Sequence, residues 1–185
     1  MKILFASDLH GSATATEALL DRLEIEGARR LVLLGDLLYH GPRNPLPKGY
    51  DPQIAAKLLS AQKEKILCVR GNCDADVDQL LLPFPIGAEN LLLYLGEIAV
   101  FATHGHHASF ENPPFLRQGD AFLQGHTHVK RLEKQNGLLL LNPGSVSLPK
   151  DGDEGSYLLW EDGVFALKTL DGREISALEA ERPPC

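Results

Sequence analysis

Seven residues of this chain combine the chemistry of metal ligands with a shared placement. Asp8 and His10 stand in "SDLH", Asp36 in "GDLL" and Asn72 in "GNCD". His104 follows in "THGHH", and His126 and His128 in "QGHTH". Each group comes just after a short apolar run, as where a buried strand ends. Asp8 and His10 are two residues apart, as are His126 and His128, so on an extended segment each pair points one way. One Asp or His at a strand end is ordinarily a cap or a turn residue. The same few donor types recurring at the ends of separate runs make a metal site. Such nitrogen and oxygen donors suit several divalent ions. The three cysteines, Cys68, Cys73 and Cys185, have no zinc-type spacing. Seven ligands suit two ions if one carboxylate bridges, and Asp36 is the natural bridge, between the Asp8–His10 strand and the Asn72 strand. Ions about 3.5–4 Å apart stabilise both the attacking and the leaving oxygen of an in-line displacement, which is phosphoryl chemistry.

The elements that must position these groups follow from periodicity. "KILFAS" (2–7), "RLVLLGD" (30–36) and "KILCV" (65–69) read as buried strands. Leucines spaced on one face predict a helix over 14–26, stopped by Gly27, and a second helix is expected over 52–65. Strand, helix, strand, helix, strand implies a parallel sheet whose strand ends share one edge, where open α/β sheets bind ligands. Residues 41–52 hold four prolines and two glycines and read as a loop. The second half reads as two strands about a turn near Gly96, then short strands near 121–124, 138–141, 156–160 and 164–169. Their Gly-rich turns suggest antiparallel pairs. The expectation is an α/β fold, one domain over 1–185, with two packed sheets and helices outside. The tail over 177–185 is expected to fray.

Composition narrows the function. The formal net charge of −7 argues against nucleic acid as substrate, since that binding rests on Lys and Arg. No apolar run reaches the roughly 20 residues that span a bilayer, and the opening "MKILFASD" lacks the length of a signal segment. A cytoplasmic enzyme without a membrane partner is the expectation. The apolar stretch "LLLPFPI" (80–86) could serve a homo-oligomer or sit in the core.

The blocks "DLH", "GDLL", "GNCD", "THGH" and "GHTH" resemble the signatures of the calcineurin-like metallophosphoesterases, and the likeness runs nearly the full chain. "HGPRN" (40–44), "PKGY" (47–50) and "NPGSVSLPK" (142–150) are similar to a subgroup of small bacterial phosphodiesterases. The resemblance implies a four-layer α-β-β-α sandwich and a metal-dependent phosphodiesterase acting on a small phosphodiester with water. Asp8, His10, Asp36 and His128 would hold one ion; Asp36, Asn72, His104 and His126 would hold the other. Manganese leads the implied metals, with zinc, iron, nickel and magnesium as alternatives. A phosphomonoesterase, a nuclease or a non-catalytic scaffold protein are the alternative readings of the same fold.

The resemblance departs at Cys73, where many relatives carry a leaving-group imidazole. A thiol with an ordinary pKa of about 8.5 is a weak donor at neutral pH. Cys73 could fill space or act as the acid, or His106, His107 or His40 could donate the proton instead. Asp74 is expected to orient the turn. His40 and Arg43, in the Pro-rich loop, are expected to line a substrate pocket, with Arg43 on a phosphate oxygen. Asn142 and Ser145 are weaker candidates to face the site.

Overall fold

The computed structural model describes residues 1–152 and 154–180. The elements run β1 (Ile3–Ala6), α1 (Ala13–Ile25), β2 (Arg30–Leu33), α2 (Pro52–Ala61), β3 (Ile66–Cys68), a 3-10 turn (Asp76–Leu80), β4 (Asn90–Leu95) and β5 (Ile98–Thr103). They continue with β6 (Ala121–Leu123), β7 (Arg131–Gln135), β8 (Leu138–Asn142), β9 (Ser156–Glu161), β10 (Val164–Thr169) and β11 (Glu174–Glu179). Both helices start on side-chain caps: the Ser12 hydroxyl accepts the Ala15 N–H, and Asp51 accepts the Ile54 N–H just before Pro52 opens α2.

Two mixed sheets pack face to face. The first has the order β11-β10-β9-β1-β2-β3, the second β4-β5-β6-β8-β7. Alternation along each strand divides the core. Phe5, Val32 and Leu34 meet Val100, Leu123 and Leu141 between the sheets, while Leu4, Ala6 and Leu33 turn outward to Leu19, Leu23 and Leu59 of the helices. Each fully buried Leu or Phe contributes about 1.5–3 kcal/mol, so this two-sided burial sets which strand faces which layer.

Within that sandwich several details differ from the sequence reading. β1, β2 and β3 are parallel as expected. In the second half β5, β6 and β8 are also parallel, not antiparallel. A long loop over 104–120 carries β5 to β6 and so reverses the direction that a tight hairpin would impose. That loop also covers the outer face of the second sheet, where Phe110 meets Phe122 edge to face at 5.6 Å. Both helices lie on the other outer face, and no helix covers the second sheet among the described residues. β7 and β11 escaped the periodicity because they are polar edge strands, "RLEKQ" and "EISALE", with little apolar alternation. β11 overturns the fraying expected from residue 177: it pairs with β10, and Leu178 packs against the inter-sheet core. Residues 181–185 of that expectation lie outside the described residues. Of "LLLPFPI", Leu82, Phe84 and Ile86 lie in the core, while Leu80 and Leu81 are exposed. No helix among the described residues is long and apolar enough to cross a membrane.

One partly buried ion pair ties α1 to the first sheet. Glu26 accepts from Tyr157 Oη at 2.7 Å and pairs with Lys168 Nζ. Burial pushes the Glu26 carboxyl up, but Lys168 and Tyr157 outweigh it and hold it below its usual 4.5. A depressed carboxylate stabilises the fold above its unfolded pKa, and that stability is lost as pH falls through the folded value. Glu26→Gln should therefore cost on the order of 1 kcal/mol at pH 7. Urea unfolding repeated at pH 3.5 should show a smaller gap between the two proteins.

Candidate metal centre

The expected ligands gather at one edge of the sandwich. Asp8 and His10 follow β1, Asp36 follows β2, and Asn72 follows β3. The parallel register continues past the strands: the Asp8 N–H donates to Gly35 O at 3.1 Å and the His10 N–H to Asp36 O at 2.9 Å. The second sheet repeats the plan, with His104 after β5 and His126 and His128 after β6. The two sets of parallel strand ends thus meet across the sandwich.

The backbone there is strained toward the centre. Among the described residues, Asp8, His10, Asp36, His126 and His128 are five of the seven non-glycine positions with positive φ, between 47° and 65°. L-residues pay for this conformation in steric energy and adopt it rarely. The glycines beside them leave room for the ligands. A Cβ on Gly71 would stand 2.1 Å from Asp36 Oδ1, and one on Gly125 would stand 1.9 Å from Ser7 Oγ.

Hydrogen bonds fix which atoms face inward. His10 Nδ1–H donates to Tyr39 O at 2.8 Å, His104 Nδ1–H to Leu34 O at 2.6 Å, and His128 Nδ1–H to Leu148 O at 2.6 Å. Each ring therefore turns a bare Nε2 to the interior when neutral. His10 Nε2 and His128 Nε2 then face each other at 3.2 Å, as do His104 Nε2 and His126 Nδ1. Asn72 Oδ1 lies 3.0 Å from His104 Nε2. Asp8 Oδ1 stands 3.3 Å from His128 Nε2 and 3.6 Å from His10 Nε2. Asp36 Oδ2 stands 3.7 Å from His10 Nε2 and 3.5 Å from His104 Nε2, so one carboxylate faces both groups.

Ring nitrogens and carboxylate oxygens thus converge on one small space. Asp8 Oδ1 is buried with no hydrogen-bond partner among the described residues. An unpaired buried carboxylate oxygen is costly unless a cation meets it. Protons supply part of that charge: burial lowers the His104 pKa, but Asp36 and Asp8 outweigh it and raise it to about 9. Burial likewise opposes ionisation of Asp8, yet His10 and His128 hold its carboxyl far below the usual range. Divalent ions would replace those protons and bind the same atoms, so the donor set fits metal. Close groupings of donors form around Asp8, His10 and His128 and around Asp8, Asp36 and His104.

The remaining expected residues fall at three distances from this centre. Asp36, Asn72, Cys73, His126, His128 and Arg43 line a cavity of about 500 Å³, with Thr127 and Lys150 beside them. Lys150 was not singled out by the sequence; its N–H donates to His128 O at 3.1 Å, a register that only the fold creates. Burial and then the Asp36 carboxylate push the Cys73 thiol up to about 12, so in the metal-free protein it carries its proton at neutral pH. Asp74 does not face the cavity. It is buried, and its two oxygens accept the N–H groups of Asp36, Leu37 and Gly71 at 2.7–2.9 Å. His40 is also outside the lining residues, its ring held edge-on between Tyr39 and Tyr50 at 4.8 and 5.3 Å. His106 sits one ring beyond the centre, 5.3 Å from His104 between centroids, and burial and neighbouring imidazoles lower its pKa. Asn142 and Ser145 are buried supports. Asn142 Nδ2 donates to Gly125 O and Thr127 Oγ1, and Ser145 Oγ donates to Asp8 O at 2.7 Å.

A family model described as the calcineurin-like phosphoesterase superfamily domain matches residues 1–162. The chain is 45% identical to phosphodiesterase YfcE of Escherichia coli K12 over 183 residues, covering 99% of this chain and 100% of that protein. The solved structure of the E. coli phosphoesterase Yfce matches with a TM-score of 0.95 at 44% identity, over 98% of this chain and 100% of that one. Wild-type Vps29 of Entamoeba histolytica in complex with zinc matches with a TM-score of 0.62 at 21% identity, over 98% of this chain and 100% of that one. At that identity the likeness concerns the fold alone. Converging Asp, Asn and His donors at the joined edges of two mixed sheets, together with a family match over most of its length, make this chain a member of the calcineurin-like phosphoesterase superfamily.

Proposed function

We propose that the protein is a metal-dependent phosphodiesterase that hydrolyses a small phosphodiester with water at a dinuclear centre. The observation that carries the reading is the convergence of imidazole nitrogens 3.2 Å apart on the Asp8 and Asp36 carboxylates, with Asp8 Oδ1 buried and without a hydrogen-bond partner among the described residues. Asp8, His10, Asp36 and His128 would hold one ion, and Asp36, Asn72, His104 and His126 the other. Manganese is the first choice, and iron, zinc, nickel or magnesium suit the same donors. When bound, such ions polarise phosphoryl oxygens and activate water. The 45% identity to a protein named a phosphodiesterase supports the choice of diester. A scaffold role, the alternative from another class, is disfavoured because all seven donor positions are filled and converge. Among the described residues the thiols of Cys68 and Cys73 are free, which supports the cytoplasm as its compartment.

The chain's own residues bind, orient and exclude. Arg43 offers a planar fork to a phosphate oxygen, and Lys150 adds a second cation to the same cavity. At about 500 Å³ the cavity suits a small ester. Cys73 carries a proton in this wall but holds it tightly, so the enzyme prefers leaving groups that need little protonation. Asp74 acts through others, clamping the turns that aim Asp36 and Asn72.

Three outcomes test these roles. Metal-stripped protein supplied with single ions should hydrolyse aryl phosphodiesters, best with Mn²⁺, and lose activity to a chelator; activity on monoesters alone, or none with any ion, overturns the reading. Cys73→Ala should slow aryl diester turnover by less than about tenfold, whereas a ~100-fold loss would make the thiol the general acid. Asp74→Asn should weaken Mn²⁺ binding by about 10–100-fold, as expected for a group that orients ligands, measured by calorimetry.

A further inference from the structure

A second group of donors converges beside the centre. The β4–β5 hairpin pairs Asn90 with Thr103, and the Thr103 hydroxyl donates to Glu89 O at 3.1 Å. That pairing sets Glu89 alongside the turn that follows His104. His107 Nε2 stands 3.9 Å from Glu89 Oε2. The His106 and His107 rings lie 3.9 Å apart between centroids. One donor atom from each of Glu89, His106 and His107 lies within 4.8 Å of the other two. Donors bound to one ion at about 2.0–2.2 Å stand roughly 3–4 Å apart, so small side-chain rotations close the triad on a cation. His106 Nδ1 is moreover buried with no hydrogen-bond partner among the described residues.

We propose that Glu89, His106 and His107 form a third divalent-cation site. Two imidazoles and one carboxylate select an ion of the zinc, cobalt, nickel or copper class. Magnesium and calcium favour oxygen-rich shells. The Glu89 and His107 side chains are 60% and 72% exposed, so they lose rotamer freedom on binding and the ion keeps water in its open positions. This site is therefore weaker than the buried centre and fills only when metal is in excess. It stands one ring away from that centre, since the His106 ring is 5.3 Å from His104 and 6.3 Å from His126. Excess zinc or cobalt thus adds positive charge at the rim of the reaction site without entering it. The proposal draws on no step of the phosphodiesterase reading.

Equilibrium dialysis of the full chain against rising free Co²⁺, with bound metal counted per chain, tests it. Glu89→Gln and His107→Ala change exposed side chains and should each saturate at one ion fewer than the parent. Equal stoichiometry in the three proteins overturns the proposal. Crystals soaked in Zn²⁺ should show an anomalous peak among the three side chains, and the absence of that peak also overturns it. Because the readout is a difference of one ion between parent and variant, it is independent of how many ions the centre holds. Failure of the dinuclear reading would appear separately, as a parent that lacks the two tighter ions.

Discussion

Concentrating lone pairs in a buried space is the constraint on which the rest of this protein depends. Left alone, two facing imidazole nitrogens and two carboxylates would open the turns that carry them. Nothing local favours the arrangement, because five of the expected ligands adopt positive φ, at a cost of roughly 1 kcal/mol or more each. The strain persists because a packed strand leads into each turn and holds it in place. A cation bonded to the same atoms would offset it and so link metal affinity to fold stability.

The strands achieve this by using one device twice. β1, β2 and β3 bring Asp8, His10, Asp36 and Asn72 to the end of the first sheet, and β5 and β6 bring His104, His126 and His128 to the end of the second. Each sheet alone presents an incomplete set. The inter-sheet core around Phe5, Leu34, Val100 and Leu123 therefore has a chemical consequence, since it fixes the distance between carboxylates and imidazoles.

Buried polar residues complete the support. Asp74 binds three N–H groups of the Asp36 and Gly71 turns, and Ser145 and Ser147 both donate to Asp8 O. Asp120 accepts from Ala99 and Arg117 and so ties the C-terminal end of the loop that bears His106 and His107 to β5. Such residues look like candidates for chemistry when read in a line, because a buried Asp or Ser is expensive unless it has work. Here the work is to hold backbone.

The amino-acid order by itself determined the expected ligand types, their position after apolar runs, the parallel run of β1, β2 and β3, and the two helices. These are local properties, written in the period of apolar residues and in the turn chemistry of Gly, Asn and Asp. The order did not reveal β7 or β11, whose edge positions demand no apolar face, nor the parallel path of β5, β6 and β8, which depends on where a long loop returns. It offered His40 as a pocket residue on the same footing as Arg43. Only tertiary structure separated them, because side-chain direction at a strained turn is set by contacts from distant strands. The pairing of His104 with His126, and of Glu89 with His107, is of the same kind: it arises from strand register across the fold, and no spacing along the chain encodes it.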